Sequence, residues 1–295
     1  METTWLVLAI DGTASIKYGY DEPHQLCTTH LNHTQRFYSA VNVPDSQKHY
    51  LHGPGSGWLN EASGWDSGEI FDRGWDWLKQ RLGVFPKANV VLVGHSRGGH
   101  IVTEIAIRLS TYNQGEFARS RRRFGPTPLT SLLPALDSGD DLFKPREEPK
   151  VQPVHLLGLF DAVDMTVRLG DTLKVPANVE WFYHAKRSKA LGSRSGWGNT
   201  SVKFERENSQ YASEEFGGTH GALGGAFPES CSGGLTTKKA IARIVGGLGG
   251  YVAEQYFAKI DASCSYSLSV EENTKAANKA YDAMLKSAGK AGIPF

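Results

Sequence analysis

Very little in this 295-residue chain would draw it to a highly charged partner. Lys and Arg total 32 against 31 Asp and Glu, a formal net charge of +1. That balance gives no basic surface for nucleic acid and no strong pull toward an anionic membrane. Cysteine is scarce: Cys27, Cys231 and Cys264 have no C-x-x-C spacing, and an odd count argues against a disulfide framework. Three thiols suit a reducing compartment or plain burial. No segment reaches the ~18 apolar residues of a membrane span. The first residues carry an acid and no basic stretch, and the apolar run behind them is only strand length, so no secretory leader is expected. The expected location is the cytoplasm as synthesised, with export lacking a cleavable leader still open. Repeats and low-complexity tracts are absent.

What is present is an alternation of strand and helix signals. Trp5–Ile10, Val90–Val93 and Val154–Phe160 are short continuous apolar runs, the mark of strands buried on both faces. Lys48–His52 and Val179–Tyr183 read as further strands. Helices are expected within His24–Val41, from a Ser67 cap to about Leu82, over Gly98–Leu109, and over Thr236–Ala258 and Glu271–Ser287. Residues 185–219 are polar and Gly/Ser-rich, and read mostly as loop. The predicted class is α/β, with a mainly parallel central sheet and helices on both faces. Residues 1–295 are expected to form one domain. Residues 113–150 hold five of the 13 prolines and break the alternation, which marks an insertion.

Gly94-His95-Ser96-Arg97-Gly98 matches G-x-S-x-G. The bare pattern means little among 33 glycines, but here a strand precedes it and an amphipathic helix follows. That is the strand–elbow–helix context in which the serine is a nucleophile. The Arg97 N–H then lies at a helix N-terminus, where a developing oxyanion is favoured. A second donor is expected from Gly12 or Thr13, after the first strand.

A nucleophilic serine needs a base, and the base needs an acid to orient it. His155 and His184 lie in or at the end of strands, and are read as core histidines. His220 sits in a late glycine-rich loop able to reach the elbow. Asp161 directly follows a buried strand at the end where functional residues collect, with Asp164 as its rival. Asp11 is read as capping a turn. His30 and His33, three apart, are read as a solvated helix face. Trp58, Trp65, Trp75 and Trp77 read mainly as packing. No metal or organic cofactor is implied.

In this order, five segments resemble a family. They are Ile10-Asp-Gly-Thr13, Gly53-Pro-Gly-Ser-Gly57, Gly94-His-Ser-Arg-Gly-Gly99, Gly158-Leu-Phe-Asp-Ala-Val163 and Thr219-His-Gly-Ala-Leu-Gly-Gly225. The family is the uncharacterised α/β-hydrolase domains that include one class of type VI secretion phospholipase effectors. The resemblance implies Ser96, Asp161 and His220 as a catalytic triad, and a phospholipase as the subclass of serine esterase or lipase. The expected partner is an ester or lipid substrate, with peripheral lipid contact and no nucleic acid. The alternative is a hydrolase-fold binding module with an inactive elbow. Leu129, Leu132, Leu133 and Leu136 give the 113–150 insertion an apolar stripe that suits a lid.

Overall fold

A computed structural model describes residues 3–12, 32–53, 66–111, 151–163, 174–188, 200, 203–225 and 268–295. The apolar runs become its central strands: β1 (Trp5–Ile10), β3 (Asn89–His95) and β4 (Val154–Phe160), joined by β2 (Lys48–Leu51), β6 (Val179–Arg187) and β8 (Tyr211–Phe216). Their order in the sheet is β2-β1-β3-β4-β6-β8, and every described pairing is parallel. A separate two-stranded ladder joins β5 (Lys174–Val175) to β7 (Lys203–Phe204).

Period-two alternation divides each central strand between two cores. Leu6, Leu8 and Ile10 face one side with Leu92 and Leu157. Over them pack Ile70, Trp75 and Leu78 of α2 (Asp66–Val84) and Ile101, Ile105 and Leu109 of α3 (Arg97–Ser110). Val7, Val91, Val93, Leu156 and Phe160 face the other side. They meet Phe37 of α1 (His33–Ala40) and Ala280, Tyr281 and Met284 of α5 (Val270–Lys290). Helices therefore cover both faces, as expected for runs apolar on both sides. Each such buried Leu or Ile stabilises the fold by roughly 1.5–3 kcal/mol.

The order also locates a site. The chain leaves β1 toward β2 on one side, and β3 joins the opposite edge of β1. The C-terminal edge between β1 and β3 is therefore the topological switch point of the sheet, where sites of open α/β sheets collect.

Several expectations need correction. Ser67 lies inside the first turn of α2, because the helix begins one residue earlier. The polar stretch 185–219 contains the end of β6 and all of β7 and β8, and the short helix α4 (His220–Leu223) follows it. β8 ends the described sheet, and its Ala212–Glu215 side chains are exposed, so it needs no apolar pattern. Within the expected His24–Val41 helix, only 33–40 is described as helical. The insertion at 113–150, the helix at 236–258, Thr13, Asp164, His30, Trp58, Trp65 and the three cysteines lie outside the described residues.

Candidate active site

The site is built from the ends of parallel strands. β3 runs to His95, and α3 starts at Arg97, so the chain reverses within a single residue. Ser96 makes that turn at φ 53° and ψ −124°, in a region that residues with a Cβ rarely adopt. Two close approaches permit it. A β-carbon on Gly94 would stand 2.5 Å from the Gly98 carbonyl oxygen, and one on Gly98 would collide with the Ile10 and Asp11 carbonyls. The Ser96 backbone is pinned on both sides. Its N–H donates to the Phe160 carbonyl at 3.0 Å, and its carbonyl accepts the Val163 N–H at 3.2 Å.

β4 ends one residue before Asp161, which is also held at positive φ, 40°. Ser96 and Asp161 are the two non-glycine residues with positive φ among those described. The Asp161 side chain is fully buried. Its Oδ1 accepts the Arg187 backbone N–H at 3.1 Å. Its Oδ2 accepts the Arg187 guanidinium at 2.6 Å and the His220 Nδ1–H at 2.7 Å. Burial alone would raise the Asp161 pKa. The His220 hydrogen bond and charge, joined by Arg187, outweigh it and hold the carboxyl well below the ordinary range. An ionised acceptor fixes the His220 proton on Nδ1. Nε2 then presents its lone pair to the Ser96 hydroxyl, 2.8 Å away.

His220 begins α4, capped by Thr219, whose hydroxyl accepts the Ala222 N–H. This turn has three outside anchors. The Asn273 carbonyl oxygen accepts the Thr219 N–H at 2.8 Å, and its amide donates to the Thr219 hydroxyl at 3.1 Å. The His33 N–H donates to the Gly224 carbonyl at 2.9 Å, and the His33 ring donates from Nδ1 to the Leu223 carbonyl at 3.0 Å. The His95 ring lies 5.0 Å from the His220 ring and donates from Nε2 to the His220 carbonyl at 3.3 Å.

Asp11, expected to cap a turn, is instead a buried hub. It accepts the Gly12 N–H at 2.8 Å, the Tyr50 hydroxyl at 2.8 Å and the Asn32 amide. Its Oδ1 faces His95 Nδ1 at 3.7 Å. The Gly12 N–H, an expected oxyanion donor, is thus directed at Asp11. What Gly12 supplies is closeness, since a β-carbon there would stand 3.0 Å from the Ser96 β-carbon. Arg97 opens α3, so its N–H lies at the positive end of that helix.

Ser96, Asp161 and His220, far apart in the chain, are thus joined in one hydrogen-bonded series. His155 and His184 stand apart from it. His155 bonds Glu180 and the Ala291 carbonyl, and His184 accepts the Ala162 N–H at 3.0 Å. His33, read as solvated, is buried. Its helix is only eight residues long and packs its first turn against the His220 turn. Arg187 and Asn273 carry no sequence signal, since each ends or begins an ordinary strand or helix. Among the described residues no cluster of His, Cys, Asp or Glu could hold a metal ion.

Fold and site together define an α/β protein with a buried Ser–His–Asp series at the C-terminal edge of a parallel sheet. No family model and no curated protein matches the chain. Among solved structures it is similar to one described as the Tle1 effector bound to the VgrG spike from the Type 6 secretion system. That similarity is 14% in sequence identity over 99% of this chain and 74% of that one, with a TM-score of 0.49. No helix among the described residues is long and apolar enough to cross a membrane.

Proposed function

We propose that the chain is a serine hydrolase of carboxylic esters, with Ser96 as nucleophile, His220 as base and Asp161 as its orienting acid. One observation carries the reading: the strained Ser96 hydroxyl lies 2.8 Å from a His220 nitrogen whose opposite nitrogen is bonded to a buried, ionised Asp161. His220 Nε2 takes the hydroxyl proton as Ser96 Oγ bonds to the ester carbonyl carbon. The carbonyl oxygen becomes an oxyanion, with the Arg97 N–H at the start of α3 as a donor. His220 passes its proton to the leaving alcohol as the C–O bond breaks. Water, deprotonated by the same His220, then releases the acid from the acyl-enzyme.

The preferred substrate class is phospholipid, on the strength of the five ordered sequence segments. A fluorophosphonate probe tests the chemistry. It should label the wild-type chain at Ser96 and leave Ser96→Ala unlabelled. A folded wild type that resists labelling would mean a binding module instead of an enzyme. Hydrolysis of phospholipid vesicles, neutral lipid and short nitrophenyl esters then ranks the substrates.

A further inference from the structure

Arg187 takes no part in the steps above, yet its guanidinium is bonded to the proposed acid. It ends β6, and both it and Asp161 are buried. The guanidinium and the His220 imidazole donate to the same oxygen, Asp161 Oδ2, at 2.6 and 2.7 Å. Sharing one oxygen brings a fixed cation within about 4–6 Å of the ring that must become an imidazolium, a range at which a charge shifts a titration by about 1–3 units. Among the described residues, the charged and titratable groups seen to face His220 include Asp161 from the end of β4, Arg187 from β6 and His95 from β3. Asp11 stands behind His95 at the end of β1, and His33 reaches the far side of the His220 turn from α1. One carboxylate therefore serves two cations whenever His220 is protonated.

We propose that Arg187 is a positioning residue that sets the acid limit of the reaction. It holds Asp161 as a fixed acceptor while its charge opposes protonation of resting His220, so the base survives to lower pH than a Ser–His–Asp series alone would allow. The inference rests on Ser96 acting as the nucleophile. The sign is fixed by electrostatics. A nearby cation disfavours imidazolium, so free base persists as pH falls, and removing the cation moves the acid limb upward. A merely structural ion pair would change stability and leave the limb where it was.

The Arg187 backbone N–H remains on Asp161 Oδ1 in every side-chain variant, which isolates the charge. The test is the pH dependence of kcat/KM on a nitrophenyl ester, together with the rate of fluorophosphonate labelling, for wild type and for Arg187→Met, Arg187→Gln and Arg187→Lys. The acid limb of kcat/KM reports the free enzyme. Arg187→Met and Arg187→Gln should raise it by about one unit or more, and Arg187→Lys should stay near wild type. Labelled neutral variants with an unmoved limb would overturn the role of Arg187 and leave the hydrolase reading standing. Absence of wild-type labelling would overturn both.

Discussion

Asn273 lies on α5, outside the Ser–His–Asp series, yet it should control how well His220 is presented. It is fully buried, and its side chain makes two hydrogen bonds to Thr219, the residue that caps the His220 turn. Asn273→Leu keeps the side-chain volume and deletes both bonds. Two neutral hydrogen bonds contribute about 1 kcal/mol each, and the Thr219 N–H left without its acceptor costs a further ~1–3 kcal/mol. Roughly 3–5 kcal/mol of anchoring is therefore lost at one turn, while the sheet is untouched. A turn loosened by that much spends less time with Nε2 at the serine, so kcat should fall by roughly 10²- to 10³-fold or more at ~1.4 kcal/mol per decade. KM should change little, because Asn273 lies behind the turn. Asn273→Asp should recover part of the loss, since one oxygen still accepts the Thr219 N–H and the other can accept its hydroxyl. Steady-state kinetics on a soluble ester, run beside thermal melts, decide the matter. A lowered Tm with an unchanged kcat would refute the reasoning, because it would make Asn273 an ordinary core residue.

Asp161→Asn should cut kcat/KM by up to ~10⁴-fold through the wrong His220 tautomer. It should also destabilise the fold by about 3–5 kcal/mol by taking the carboxylate from a buried Arg187, and denaturant titration would detect a smaller loss. Because the folded Asp161 pKa is depressed, its contribution to stability is present above the unfolded value of ~3.9 and fades as pH falls below it. The stability gap between wild type and Asp161→Asn should therefore narrow in unfolding curves below about pH 4, and a constant gap would contradict the ion pairing. Gly98→Val should abolish fluorophosphonate labelling, since its side chain would collide with the Ile10 and Asp11 carbonyls and force α3 off the sheet. A labelled, native-like variant would disprove the tight elbow.

Hydrophobic periodicity determined the core of the fold. Trp5–Ile10 and Val154–Phe160 are strands over the expected spans, since a run apolar on both sides can only be buried between two helical layers. The elbow was legible for a related reason: glycines at 94 and 98 around a serine, between strand and helix, record a steric demand that leaves few other residues usable. The second half of the sheet was not legible. β8 gains its place from backbone pairing with β6 and exposes polar side chains, so composition alone reads it as loop. Asp161 and His220 were open to inference from position, one after a strand and one in a glycine-rich loop. Their supports were not: Arg187 on Asp161, Asn273 and His33 on the His220 turn, and Asp11 turning toward Gly12, Tyr50 and Asn32. Each of these is a polar residue without a pattern, and its partner, apart from Gly12, lies from 21 to about 190 positions away. Local propensity acts over a few residues and registers none of this. Stacking the strands in parallel brings their C-terminal ends to one edge, and only then do these side chains meet.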